Sequence, residues 1–284
     1  MNNNKKIKIG FTDFWGGFNP TTDPIFSLLL NKHYDVIYDN INPDVLFFSV
    51  DGDTHKQYNC KKILFTPENF YSHRYRPLDF TLGEDNLYKY ADYSITGFDT
   101  GNEKNFRLPC YIRRYGHNIK DTINDRTIPK KSKKILYLQR NCVQFRDEFV
   151  LKLQKHIEVD CLGNCIRNKN IDVIDKIEFM KDYKFVMSFE NSSYPGYNTE
   201  KLVDGFISKT IPIYWGDTNV NSDYNPKSFL SYHDYNNQDI LIEKILELDN
   251  DDSKYNQMLL EQPIINYSLF DENKLINFLN KILL

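Results

Sequence analysis

The sequence predicts an α/β protein built from two Rossmann-like domains. Three observations carry this. Short apolar runs of strand composition alternate with amphipathic helical stretches along most of the chain. Several of those runs are apolar throughout, as strands buried on both faces of a parallel sheet are. The alternation breaks once, at the polar and basic stretch HNIKDTINDRTIPKKSKK (117–134), which reads as a linker. The expected division is a domain over 1–125, a second over 126–262, and a C-terminal helix over 263–284, with the two domains facing a central cleft.

In the first domain KIKIGF (Lys6–Phe11) is the opening strand, FSLLLNKHY (Phe26–Tyr34) a short helix and YDVIYD (Tyr34–Asp39) a second strand. PDVLFFSV (Pro43–Val50), KKILFT (Lys61–Thr66) and ADYSITGF (Ala91–Phe98) are further buried strands. Between the last two lies a long aromatic loop, Pro67 to about Tyr88. Loops of that length inside compact domains usually serve function. The pattern restarts after the linker. KKILYLQR (Lys133–Arg140) is a strand. RDEFVLKLQKH (Arg146–His156) is a helix with Phe149, Val150, Leu153 and Ile157 on one face. Strand and helix then alternate through IEVDCLG, IDKIEFMKDY, KFVMSFE, TEKLVDGFISK and TIPIYWG, and QDILIEKILEL and DENKLINFLNKILL close the chain as amphipathic helices.

Composition bounds the chemistry. At 284 residues, 40% hydrophobic and 26% charged, the chain supports a folded core. A net charge of −3 gives no protein-wide basic field, so nucleic acid is not an expected partner, although a local basic site for a small phosphate fits. No run of about 18 apolar residues marks a membrane span. Asp271–Leu284 reads as a core-covering helix, leaving at most peripheral membrane contact. MNNNKKIKIG lacks an apolar segment behind its lysines, so no secretory signal and a cytoplasmic location are expected. The five cysteines show no paired C-x-x-C spacing, and CLGNC (Cys161–Cys165) lacks the second pair that a structural zinc site needs. Free thiols are therefore expected.

The stretch FVMSFENSSYPGYNTEKLVDGFISKTIPIYWGD (Phe185–Asp217) concentrates the chemistry. Its loop leaves the carboxyl end of a buried strand and enters a helix with Thr199 as expected N-cap. Ligands of open α/β sheets sit at such ends, and helix N-termini favour anions. Lys201 in the first turn opposes the helix dipole unless an anion lies there. Glu200 suits two ribose hydroxyls, Asn191 a phosphate, and Tyr197 a ring or phenol against a ligand. Each residue has a plainer reading too: solvated lysine, helix-end charge, Asx turn or packed aromatic.

This stretch resembles the signature of the α-1,3/1,4-fucosyltransferases, glycosyltransferase family 10, over about thirty residues in fixed order. RNCVQFRDEF with VDCLGNC, TPEN (Thr66–Asn69), ADYSITGF, FRLPCY and YNPKSFLSYHDY extend the resemblance over most of 60–235. It implies a GT-B fold and inverting transfer of fucose from GDP-fucose to an N-acetylglucosamine-containing, lactosamine-type oligosaccharide. Arg146 and Lys201 would bind the pyrophosphate, Glu200 the ribose, and Asn191 and Tyr197 would line the phosphate and fucose side. Glu68 would be the catalytic base, with Glu84 and Asp85 as alternatives because of the length of the surrounding loop. No cofactor or metal is expected. DGD at Asp51–Asp53 invites a metal reading, but the family resembled binds its donor in the opposite domain without such a motif. Trp15, Phe18 and the loop aromatics Phe70–Tyr75 are candidate stacking surfaces for a sugar ring, or simply packed loop residues.

Overall fold

The computed structural model describes residues 6–67, 70–71, 76–77 and 87–284. The chain divides into two compact units, one of residues 1–117 with 268–284, the other of residues 118–267.

The first unit is organised by a six-stranded sheet. Its strands are β1 (Ile7–Thr12), β2 (Val36–Tyr38), β3 (Val45–Phe48), β4 (Lys61–Thr66), β7 (Tyr93–Thr96) and β8 (Asn105–Arg107). The remaining two, β5 (Phe70–Tyr71) and β6 (Arg76–Pro77), form a separate antiparallel pair. The sheet order is β2-β1-β3-β4-β7-β8 and every pairing is parallel. All four residues of β3 are buried, as its unbroken apolar run requires. The helix expected over 26–34 is a π-helical stretch, Pro24–Leu30, followed by α1 (Asn31–His33). After β8 comes α2 (Cys110–Tyr115).

The second unit opens with α3 (Ile119–Asn124), inside the stretch read as a linker. Its apolar signal is short, and fully buried Ile123 is what holds it. Then follow β9 (Lys133–Gln139), α4 (Gln144–Leu153), β10 (Val159–Gly163), α5 (Lys176–Met180), β11 (Tyr183–Phe189), α6 (Glu200–Ile207), β12 (Ile211–Trp215), β13 (Leu230–Ser231), α7 (Gln238–Asn250) and α8 (Asp252–Leu260). Last in the chain, α9 (Glu272–Leu283) belongs to the first unit and buries Leu275, Phe278, Leu279 and Ile282. Among the described residues no helix is long and apolar enough to cross a membrane.

The second sheet runs β10-β9-β11-β12-β13, all parallel. Alternate residues feed its two faces. Ile135, Phe185, Met187 and Ile213 pack with Phe149, Val150 and Ile245 on one side. Leu136 and Val186 pack with Met180 and Tyr183 on the other. The chain passes from β9 to β10 on one flank, while β11 lies on the opposite flank of β9. Strand order therefore reverses between β9 and β11, and the loops leaving their carboxyl ends diverge there. Such a reversal opens a crevice for ligands.

At the carboxyl end of the first sheet, Phe14 stacks on Phe18 at 3.9 Å between ring centroids and Trp15 packs edge-on at 5.3 Å. The Arg113 guanidinium lies 4.7 Å above the Trp15 ring and pairs with Asp23 at 2.6 Å. Trp15 and Phe18 are thus engaged by their own neighbours. The DGD segment is shaped by Asp13. That residue holds a left-handed φ of 58° and accepts the amides of Thr54 at 3.0 Å and His55 at 2.8 Å, plus Nδ1 of His55 at 2.7 Å. A Cβ at Gly52 would strike its carboxylate.

Burial raises the Asp13 titration, but these hydrogen bonds outweigh it and hold the carboxyl below its ordinary range. Its contribution to stability is therefore complete above the unfolded value of about 3.9 and is lost as pH falls through the lower folded value. Asp13→Asn should cost about 1–3 kcal/mol at pH 7 in urea unfolding, and much less at pH 3. An equal loss at both pH values would show that its charge is not what holds the segment.

Candidate active site

The crevice between β9 and β11 is spanned by one side chain. Arg146, in the first turn of α4, is fully buried. Its Nη1 donates to Gln139 Oε1 at the end of β9 (3.3 Å), to the Phe189 carbonyl at the end of β11 (3.1 Å) and to Asn191 Oδ1 (3.4 Å). Nη2 donates to the Asn141 carbonyl at 2.5 Å. All four partners are neutral, and Nε is buried without one. Burial pulls the guanidinium below its ordinary titration, opposed by Tyr137 and Glu190. A cation so placed favours an anion nearby.

The loop from Glu190 to Thr199 follows β11. Glu190 is fully buried. It accepts the Thr199 amide (2.8 Å), the Thr199 hydroxyl (2.6 Å) and Lys201 Nζ (2.8 Å), and its own amide donates to the Trp215 carbonyl at 2.7 Å. Room for it depends on Gly216, where a Cβ would collide with Glu190 Cγ. Thr199 occupies the N-cap of α6 as expected, but no side-chain cap bond is made there. Its hydroxyl serves Glu190 instead. Lys201 also donates to Thr199 Oγ1 at 2.8 Å and lies 4.0 Å from Glu200 Oε1.

Cross-links fasten the loop to the end of β12. Asp217 Oδ1 accepts the amides of Gly196 (2.6 Å) and Asn219 (2.8 Å). Tyr214 Oη accepts the Asp217 amide at 2.9 Å and donates to the Tyr197 carbonyl at 3.3 Å. Ser193 Oγ donates to the Gly216 carbonyl at 2.6 Å.

The structure thus brings Arg146 and Asn191 into direct contact and places Tyr197, Glu200 and Lys201 on one loop and helix start. Tyr197 is fully buried, whereas Glu200 is half-buried. Glu68, Glu84 and Asp85 lie outside the described residues. Sequence reasoning missed Glu190 as the anchor of Thr199 and Lys201. It also passed over Asn198, which is buried with both amide atoms unpartnered. No local spacing rule reveals either, because Glu190 acts nine and eleven residues ahead.

One expectation is overturned. Cys142 and Cys165 form a disulfide between the loop after β9 and the segment after β10. Their separation of 23 residues hides a proximity that adjacent parallel strands create. Cys60, Cys110 and Cys161 take no part in a disulfide among the described residues.

Two family profiles match the chain. One, described as the C-terminal part of glycosyltransferase family 10 (fucosyltransferase), matches residues 128–260. The other, described as the N-terminal domain of the alpha-(1,3)-fucosyltransferase FucT, matches residues 9–114. The chain belongs to glycosyltransferase family 10. The alpha-(1,3)-fucosyltransferase FucT of Helicobacter pylori is 30% identical over 91% of this chain and 60% of its own length. A putative fucosyltransferase of Acanthamoeba polyphaga mimivirus is 33% identical over 53% of this chain and 28% of its own. The chain therefore spans less than two thirds of the length of these curated relatives. A crystal structure of an α1,3-fucosyltransferase with GDP matches with a TM-score of 0.78 and 26% identity, covering all of this chain and 92% of that one. The family 10 fold is GT-B, as the resemblance implied.

Removing the buried anchor tests this account of the family 10 loop. Glu190→Ala strands Lys201 and the Thr199 amide, and should cost about 3 kcal/mol in urea unfolding. A loss within the range of ordinary surface changes would mean the loop is held by its β12 contacts alone.

Proposed function

We propose that this protein transfers L-fucose from GDP-fucose, with inversion, to a hydroxyl of an N-acetylglucosamine-containing glycan of the lactosamine type, forming an α-1,3 linkage. The carrying observation is Arg146, a buried cation with only neutral partners where the strand order of the second sheet reverses. The N-terminal end of α6, whose dipole favours anions, and Lys201 lie on the neighbouring loop. That combination suits a nucleoside diphosphate. The relatives' activities and the solved complex with GDP support the same donor.

Charge develops on the diphosphate as the sugar–oxygen bond breaks. Cations fixed in advance stabilise it without reorganising, often the largest contribution to catalysis. Arg146 and Lys201 fill that role in this reading, which requires no metal. Glu200 holds the ribose, while Asn191 orients the phosphates through its contact with Arg146. Tyr197, buried within electrostatic reach of Arg146, lines the phosphate and fucose side. Glu68 takes the proton of the acceptor hydroxyl, worth about 10²–10⁴ in rate. Reaction in the cytoplasm, with GDP-fucose and an oligosaccharide as the partners, completes the reading.

The test is GDP release from GDP-fucose in EDTA, with and without N-acetyllactosamine. Acceptor-dependent release is expected. Turnover of a UDP-sugar or GDP-mannose in place of GDP-fucose would remove the donor assignment.

Lys201→Ala should lower kcat/KM by about 10²–10³ while circular dichroism stays native. Near-normal turnover would take Lys201 out of the site. Glu68→Gln should retain GDP-fucose binding by calorimetry and lose transfer. Normal transfer by that variant would move the base to Glu84 or Asp85.

A further inference from the structure

The geometry points to the Cys142–Cys165 disulfide as a positioning element of the donor site, one that makes donor binding depend on the redox state of the protein. This rests on the reading of the β9–β11 crevice as the diphosphate site. Cys142 follows Asn141, whose carbonyl accepts Arg146 Nη2. The short segment 140–143 joins β9 to α4 without regular structure of its own. The disulfide ties it covalently to the segment after β10. On that side Gly163, at φ 93°, closes against the Gln139 carbonyl, which also accepts the Asn164 amide at 3.0 Å.

Two of the four Arg146 hydrogen bonds end on this strand end and segment, at Gln139 and Asn141. The other two end on the β11 side, at Phe189 and Asn191. The guanidinium is therefore suspended between two strand ends and the loops that follow them, and one of those loops is held by a bond that a thiol can open. A free segment lets Asn141 drift and the cation lose that anchor, while Gln139 stays paired within the sheet.

The two sulfurs differ in access. Cys142 is exposed and Cys165 is buried. Exchange accordingly begins at Cys142. An external thiolate attacks Cys142 Sγ, the sulfur–sulfur bond breaks, and Cys165 leaves as a thiolate that takes up a proton. A second external thiol releases Cys142 as a thiol. Two electrons and two protons enter the protein, and the external pair becomes a disulfide; oxidised glutathione reverses the sequence. Cys161 does not compete, since it is buried and its thiol is pushed up to about 12. Asp147 lies with the two sulfurs in the one group among the described residues that could hold a metal once reduced. EDTA in the assay keeps that chemistry out.

The experiment is calorimetric titration of GDP into the full chain in EDTA, after oxidised glutathione and after excess dithiothreitol. Thiol counting defines the states, with three thiols (Cys60, Cys110 and Cys161) in the oxidised form and five in the reduced form. Reduction should raise the Kd for GDP about tenfold, reversibly, with the native circular dichroism spectrum kept. The Cys142→Ser/Cys165→Ser double variant should show the weaker value under both conditions. In Arg146→Lys the difference between redox states should disappear. Equal GDP affinity in the oxidised, reduced and double-serine proteins overturns the proposal, as does unfolding on reduction, which would make the bond a fold staple. No GDP binding in either state would instead sink the diphosphate reading, and this inference with it.

Discussion

A buried guanidinium at a reversal of strand order governs the second unit. Arg146 gives up its hydration and regains only hydrogen bonds to carbonyls and amides. Those partners occupy Nη1 and Nη2, leave Nε without one, and carry no charge of their own. Lys201 is the opposite case, because buried Glu190 meets it at 2.8 Å. Two cations that look alike in the sequence thus differ in electrostatic role. Arg146 holds its charge among neutral partners at the crevice, while Lys201 reaches the loop and the start of α6 already paired with Glu190.

The two units share a construction. In each, a carboxylate just past the end of a central strand gathers donors from a segment further along the chain. Asp13 collects the Thr54 and His55 amides and the His55 ring. Glu190 collects the Thr199 amide and hydroxyl and the Lys201 amine. A glycine makes room in both places, Gly52 for Asp13 and Gly216 for Glu190. An ionised carboxylate removed from water is tolerated only when its oxygens are well supplied, so each segment is pinned by the demands of one acid. This fixes loops at the carboxyl ends of parallel strands, where backbone geometry alone leaves them loose.

The sheets were legible because burial on two faces leaves an unmistakable run of apolar residues. β4 falls where KKILFT places it, and β9, β11 and β12 lie within a residue or two of their runs. The short pieces were not. β8 and β13 are too brief to show a period, and α3 has little besides Ile119 and Ile123 to announce it. In the candidate site, residue types and strand-end position could be read, as could the N-cap position of Thr199. The partners could not. Which carboxylate meets Lys201, and what holds Arg146, depend on loops brought together by sheet order. The disulfide was lost for the same reason, since cysteine spacing along the chain says little about neighbours across parallel strands.

The first unit is built from both ends of the chain: α9 completes a core begun at β1, with the whole of the second unit intervening. On the ribosome the second unit is fully synthesised before the first can finish. Until Leu275, Phe278, Leu279 and Ile282 arrive, the surface that they cover stays open to water and to other chains. Translation order therefore makes the N-terminal unit the later to mature, a reversal of the usual sequence in which domains fold as they emerge.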